Sequence, residues 1–195
     1  GEASVREGGW ALRAMVGMYL GTGEGRYRAE ASRLVDMYLD WFDRYGALLA
    51  PYTSHSMPRV VFMISLTVNS FARYLLIDDN QRVRDLIVRT VDDMIRHCLG
   101  PAGIPYYKEL PSLRRPAPTS HFVEALTHAY RLTGEVGYLK LAARTFAAMA
   151  QDRVTAEATP KFLDESGAII SGNGGGRIFS STFPSVLLFA AEATP

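Results

Sequence analysis

A six-residue pattern recurs at a fixed distance, and that recurrence limits the fold more than any other feature of the chain. Tyr19-Leu20-Gly21-Thr22-Gly23-Glu24 returns as Tyr130-Arg131-Leu132-Thr133-Gly134-Glu135, and a further tyrosine follows each glutamate, Tyr27 and Tyr138. The offset is 111 residues throughout (130 − 19, 133 − 22, 138 − 27). Midway stands a degenerate copy, Tyr74-Leu75-Leu76-Ile77-Asp78-Asp79, with Val83 near the place of the second tyrosine. One Thr-Gly-Glu match can arise by chance, but chance does not align the tyrosines around it. The period is therefore roughly 55 residues, in three copies.

Each copy reads as a helical hairpin. First helices are expected over 9–20, 59–76 and 120–132, and second helices over 26–44, 80–98 and 136–151. The Thr-Gly-Glu or Asp-Asp-Asn step supplies a glycine to end one helix or a polar residue to cap the next. Such short turns make each pair antiparallel. The second helices are amphipathic: Tyr27, Ala31, Leu34, Val35, Tyr38 and Phe42 form one stripe, and Arg28, Arg33, Asp36, Asp40 and Asp43 lie elsewhere. Val83, Leu86, Ile87, Met94, Ile95 and Cys98 repeat the stripe, against Arg82, Arg84, Asp85, Arg89, Asp92 and Asp93. The first helices, Trp10–Tyr19 and Val60–Leu66, are apolar nearly all round. A helix that is hydrophobic all round is buried and an amphipathic one faces water. First helices should form an inner layer and second helices an outer one. The connections between hairpins, over 46–58, 99–119 and 152–180, are long. They all fall at the rim where inner helices begin, and long loops in a compact domain are usually functional. Phe183–Glu192 reads as the start of a seventh, inner-type helix.

Composition excludes several classes. Hydrophobic residues make up 48% of the 195 residues, enough apolar surface to offset the entropy of ordering the chain. A net charge of +1 leaves no footprint for nucleic acid or an anionic membrane. The single cysteine, Cys98, rules out an intrachain disulfide framework and a cysteine-based zinc cluster. No apolar run approaches the length of about 18 residues that a spanning helix needs. The opening Gly1-Glu2-Ala3 lacks Met and any leader-like segment, and reads as a cut end.

The inner helix Gly9-Trp10-Ala11-Leu12-Arg13-Ala14 and the turn Thr133-Gly134-Glu135-Val136-Gly137-Tyr138-Leu139 carry a resemblance. Together with the alternation of inner helix, turn, outer helix and aromatic loop, the chain resembles the (α/α) toroid, or six-hairpin glycosidase-like, superfamily over residues 8–151 and 181–193. The resemblance implies an all-α fold of antiparallel hairpins forming part of an (α/α)6 toroid. It also implies a carbohydrate-active enzyme (glycoside hydrolase, polysaccharide lyase or sugar epimerase) with its centre in the cavity at one end of the inner barrel. A closed toroid has six hairpins, and this chain supplies three and a half. Residues 1–195 are therefore expected to be one partial domain, either a fragment of a longer polypeptide or an open helical array. Open inner-layer edges at Trp10–Tyr19 and Phe183–Glu192 should lead to self-association into a homo-oligomer, or be covered by the remainder of the chain.

Candidate site residues lie on the long connections. In Tyr52-Thr53-Ser54-His55 the imidazole can act as acid or base near neutrality. Arg59 can grip a uronate carboxylate through both arms of its fork. Tyr106 and Tyr107 offer a stacking face and a hydroxyl, which suits a sugar ring; Lys108, Arg114, Arg115 and Arg177 add positive charge. His121 and Glu124, three residues apart at the start of an inner helix, share a face. The helix N-terminus should lower the pKa of His121 and keep it neutral, as a base requires. His121, His55 and Tyr107 are the catalytic candidates; Arg59, Tyr52, Tyr106, Lys108, Glu124 and Arg177 are the substrate-binding ones. The plainer reading makes the same residues caps, loop packing and solvated charge. A hydrolase needs two carboxylates about one bond, for which Glu109, Glu124, Asp164 and Glu165 are the rim candidates. A lyase needs a Tyr or His base and a group that neutralises the uronate. The run Ser171–Arg177 lacks the Lys-Ser/Thr of a phosphate loop. Glu24, Asp78, Asp79 and Glu135 fall at the opposite rim and read as caps and turn residues. His121 and His128 are too far apart in sequence for the usual metal pair, so neither a metal nor any other cofactor is implied. An acidic oligo- or polysaccharide is the expected partner. The competing reading is a non-catalytic helical-repeat module with a concave binding surface.

Overall fold

The computed structural model describes residues 4–49, 58–100, 102–109, 117–157 and 175–194, with the side chains of 151–157 and 175–182 left aside. Its elements are α1 (Val5–Thr22), α2 (Gly25–Tyr45), α3 (Val61–Tyr74), α4 (Gln81–Cys98), α5 (Ser120–Thr133), α6 (Val136–Glu157) and α7 (Gly175–Ala193). The pairing of residues into isolated antiparallel bridges occurs at Val60–Lys108 and Leu99–Pro105. The expected hairpins are α1–α2, α3–α4 and α5–α6. Helix α1 begins five residues earlier than its apolar run, because the Ser4 hydroxyl accepts from the Glu7 amide at 3.4 Å and caps it. Helix α7 begins eight residues before Phe183 and continues through Pro184. His55, Tyr52, Arg114, Arg115, Asp164 and Glu165 lie outside the described residues, as does the side chain of Arg177.

The repeated turn is built twice from the same parts. Gly23 and Gly134 adopt φ of 71° and 76°, and their amides donate to the carbonyls of Tyr19 and Tyr130 at 2.8 and 2.7 Å. Thr22 and Thr133 each donate a hydroxyl back to a carbonyl four residues earlier, at 2.7 and 2.8 Å. The same hydroxyls accept the amides of Glu24 and Glu135 at 3.2 and 3.1 Å. The threonine therefore does the side-chain capping expected of the glutamate. Glu24 makes no side-chain cap bond and instead pairs with Arg26. In the degenerate copy Asn80 caps α4, accepting from the Arg82 amide at 3.0 Å. Asp79 pairs with Arg84, and Asp78 accepts from the Tyr74 hydroxyl at 2.9 Å. Left-handed backbone strains any residue with a Cβ, so Gly134→Ala should cost about 1 kcal/mol. Gly137→Ala, inside α6 with open space around it, should stabilise by about 0.5 kcal/mol. Urea unfolding of both variants gives the two signs.

Helices α1, α3, α5 and α7 pack side by side in that order, and α2, α4 and α6 cover them from outside. The expected two layers are present. Helix α3 is buried on nearly every side, from Ile64 through Phe71. It can sit so close to α1 because of Gly9: a Cβ there would lie 3.0 Å from the Thr67 Cα, a separation that side chains do not tolerate. Thr67 and Tyr38 both donate to the Val5 carbonyl, so α2 and α3 hold the first turn of α1. The outer stripe of α4 is buried as its pattern requires, with one departure. Asp93, on the charged side of that pattern, is 8% exposed. At the two ends of the inner layer, Trp10, Met18 and Leu20 on α1 and Phe183 and Leu187 on α7 are exposed. No described helix is long and apolar enough to cross a membrane.

Candidate functional site

The second long connection folds back on the first through Arg59. The chain leaves α4 through the Leu99–Pro105 bridge and then runs antiparallel to the start of α3, where the Val61 amide donates to the Tyr107 carbonyl and the Glu109 amide to the Arg59 carbonyl. Arg59 fixes this arrangement. Its Nε and Nη2 donate to the two oxygens of Asp93 at 2.6 and 3.0 Å, while Nη1 bonds Glu109 Oε2. Its backbone amide donates to Glu109 Oε1 at 2.9 Å. All three side chains are largely buried. Burial would lower the Arg59 pKa, but the hydrogen bonds and charges of Asp93 and Glu109 outweigh it and raise the value. Both arms of the fork are thus engaged within the chain. The clamp sets Tyr107 against Phe62 on α3, stacked with ring centroids 5.7 Å apart. Lys108 is buried, its ammonium 5.9 Å from the Tyr107 ring. Tyr106 packs its ring over Gly100, where any Cβ would meet it at 2.9 Å. Cys98, below the clamp, has its thiol pushed up to about 12, chiefly by burial, which removes it as a nucleophile.

A second group of polar residues lies on the inner helices themselves. His121 sits in the first turn of α5, and its carbonyl accepts from Asn69 on α3 at 3.1 Å. Among the described residues its Nδ1 is buried without a partner. Burial holds its pKa below the usual value; Glu124 opposes that shift and Arg13 adds to it. One turn on, Glu124 is 7% exposed. It accepts from the Ser185 hydroxyl of α7 at 2.6 Å, and His128 Nε2 lies 3.7 Å from its other oxygen. Burial would raise the Glu124 carboxyl, but His128, Ser185 and the charge of Arg13 together hold it below the ordinary range. Arg13 comes from α1, which packs on α3 rather than α5. An interaction between α1 and α5 therefore passes over the face of α3 turned away from the outer layer. The register agrees: Gly9 faces Thr67, and Asn69 meets His121. Arg13, Arg73 and Glu124 then share one level to within about a turn. Beside them an open groove of about 530 Å3 lies at the C-terminal ends of α3 and α5 against α7, lined by Arg73, Glu124, His128, Arg131, several leucines and, from the start of α4, Arg84.

Neither the family models nor the curated proteins contain a match to this sequence. Solved structures do match. A family 76 glycoside hydrolase, an α-mannanase of Bacteroides thetaiotaomicron, superposes with TM-score 0.63 at 17% identity, covering 97% of this chain and 53% of that one. A D-mannose isomerase gives 0.59 at 16% identity over 78% of this chain and 41% of its own. The cellobiose 2-epimerase of Spirochaeta thermophila gives 0.54 at 12% identity, over 96% and 59%. The fold is that of an (α/α) toroid. The chain spans roughly half the length of these structures, three and a half hairpins of the toroid.

Within the toroid, the residues expected from sequence separate into two groups. His121 and Glu124 share the inner face, as their spacing requires. The pKa of His121 is lowered, with burial as the leading cause. Tyr107 sits at the rim on Phe62, while Arg59, Tyr106 and Lys108 build the connection that carries it. Sequence reasoning passed over Arg13, Arg73, His128 and Ser185. Arg13 had a readable signal, since it is the lone charge in the apolar run Trp10–Tyr19. His128 follows Glu124 by four residues, one turn on the same face, and was weighed only as a metal ligand. Arg73 and Ser185 gave no comparable signal: one stands beside a turn and the other follows a proline.

Proposed function

We propose that this chain forms part of a carbohydrate-active enzyme that cleaves an acidic oligo- or polysaccharide by a lyase-type elimination, with His121 as the base. The supporting observation is the state of the groups around His121. Its imidazole favours the neutral form and can accept a proton, beside a carboxylate held ionised. Hydrolysis by paired carboxylates needs one of them protonated as the acid. Glu124 is held below the ordinary range, and Glu109 is bound by Arg59, so neither suits that role. In the elimination, His121 takes the proton next to the uronate carboxylate. The electron pair forms a carbon–carbon double bond, and the glycosidic C–O bond breaks. The departing oxygen needs a proton, for which the Tyr107 hydroxyl is the rim candidate. Tyr107 with Phe62, and Trp10 across the face, offer stacking surfaces for sugar rings. His55, Tyr52 and Arg177 belong to the same reading as further rim contacts. The exposed edges at α1 and α7 fit a partial domain completed by additional hairpins.

The elimination product carries a conjugated double bond and absorbs ultraviolet light, which separates it from a hydrolysis product. His121→Ala should lower kcat on a polyuronate by about 100-fold. A lowered pKa leaves more base at acidic pH, so the acid limb of the rate profile should lie below the ordinary histidine value of about 6.5. Saturated products, or full activity in the His121→Ala variant, would dismiss the proposal.

A further inference from the structure

The inner face holds more positive charge than its own carboxylates use. Arg131 faces Glu192 at 3.3 Å, and Arg84 bonds Asp79. Glu124 is already taken by Ser185 and His128. Arg13 and Arg73 differ: among the described residues neither has a carboxylate within ion-pairing distance. Arg13 instead rests over the Trp10 ring, 5.6 Å from its centroid. The register set by Gly9–Thr67 and Asn69–His121 brings the two arginines to the same level, from adjacent inner helices, and Arg73 lines the groove beside Glu124. Two like charges on one face repel each other, and burial adds to the cost of charging Arg13. Both effects lower the Arg13 pKa, burial more than Arg73, and the charge of Glu124 opposes them only in part. An anion between them would remove the repulsion and engage two guanidinium forks, each shaped for a planar carboxylate.

We propose that Arg13 and Arg73 together form an anion subsite on the inner face that takes the carboxylate of a uronic acid unit. The neighbouring Trp10 ring, half exposed, then supplies an apolar face for the sugar carrying it. The proposal deepens the acidic-saccharide reading above and rests on it for the substrate class. It moves the carboxylate-binding role from Arg59, whose fork is filled, to a pair whose forks have no carboxylate partner among the described residues. It also places the carboxylate within reach of the level of His121 and Glu124, where a proton next to it would be removed.

The test is calorimetric titration of the 195-residue chain with D-glucuronate, D-glucose and inorganic phosphate, repeated on Arg13→Gln and Arg73→Gln. Glucuronate should bind at least tenfold tighter than glucose, and each variant should lose roughly tenfold for glucuronate and little for glucose. Arg73→Lys should recover part of the loss, because charge remains while the fork does not. Thermal unfolding and circular dichroism check that each variant is folded; should Arg13→Gln fail there, Arg73→Gln alone decides. Equal affinity for glucuronate and glucose, no binding of either, or glucuronate binding unchanged in the folded variants overturns the subsite. Phosphate binding tighter than glucuronate reassigns the pair to a phosphorylated ligand and overturns the uronate. Turnover is not the readout. A chain that binds glucuronate through these arginines and cleaves nothing would fail the catalytic reading alone.

Discussion

Arg59→Ala is expected to destabilise the fold by about 4 kcal/mol, the magnitude typical of removing one partner from a buried ionic group. The reason lies in what the arginine leaves behind. Asp93 and Glu109 have side chains only 10% and 21% exposed, so water cannot restore what the guanidinium provided. Among the described residues His97 is the remaining basic partner of Asp93, at 3.5 Å, and it answers only one of the two carboxylates. Lysine should not rescue the site, because one ammonium cannot hold both oxygens of Asp93 and still reach Glu109. The double variant Arg59→Met with Asp93→Leu should lose less than Arg59→Ala, since it leaves a single carboxylate to be accommodated. Urea unfolding followed by circular dichroism gives the comparison. A loss below about 1 kcal/mol for Arg59→Ala would class the group with ordinary surface pairs.

Phe71→Ala should cost a similar amount, about 4 kcal/mol, by a different mechanism. Phe71 is fully buried in the last turn of α3 and meets Tyr38 of α2 edge to face, 5.3 Å between centroids. Truncation removes the transfer free energy of the ring and leaves a cavity. Its walls cannot close in, because the Gly9 contact and the Val5 carbonyl bonds fix α1, α2 and α3 against one another. Leu76→Ala, at a position 69% exposed on the same hairpin, should change stability by less than about 0.5 kcal/mol. Thermal melts of the pair would test the contrast, and equal losses would show that α3 is not the packed centre of the layers.

The architecture was legible because it rests on repetition and polarity. Tyr19 and Tyr130 mark the same carbonyl acceptor in two turns, and their fixed offset survives in sequence. The difference between Trp10–Tyr19 and the striped α2 is a difference in burial, which composition records. The inner-face site was only half legible, through the spacing of His121 and Glu124. Apart from His128 on the same helix, its other members come from α1, α3 and α7, and no local pattern links residues that meet only after three helices have packed. Asp93 illustrates the limit most sharply. Its neighbours Arg89 and Asp92 place it on what reads as a solvated face, and only the returning loop buries it. Arg59 was read as a ligand contact because its partners, 34 and 50 residues away, cannot be seen from its own segment.

The Thr-Gly-Glu turns and the Arg59 group are therefore wired at different ranges. Every bond in the Thr-Gly-Glu turn closes within a handful of residues, so that turn is a self-sufficient part. The Asp-Asp-Asn version is tied further out, through Tyr74 to Ser32 at 2.9 Å and through Asp78 to Arg28 at 3.6 Å, both on α2. The opposite rim has no such independence. Arg59 joins a connection, an outer helix and a second connection in one ionic group, and a change there is a change to three segments at once. Variation in a chain built this way can accumulate within a Thr-Gly-Glu turn. At the end that carries the candidate chemistry, it has to arrive as coordinated sets.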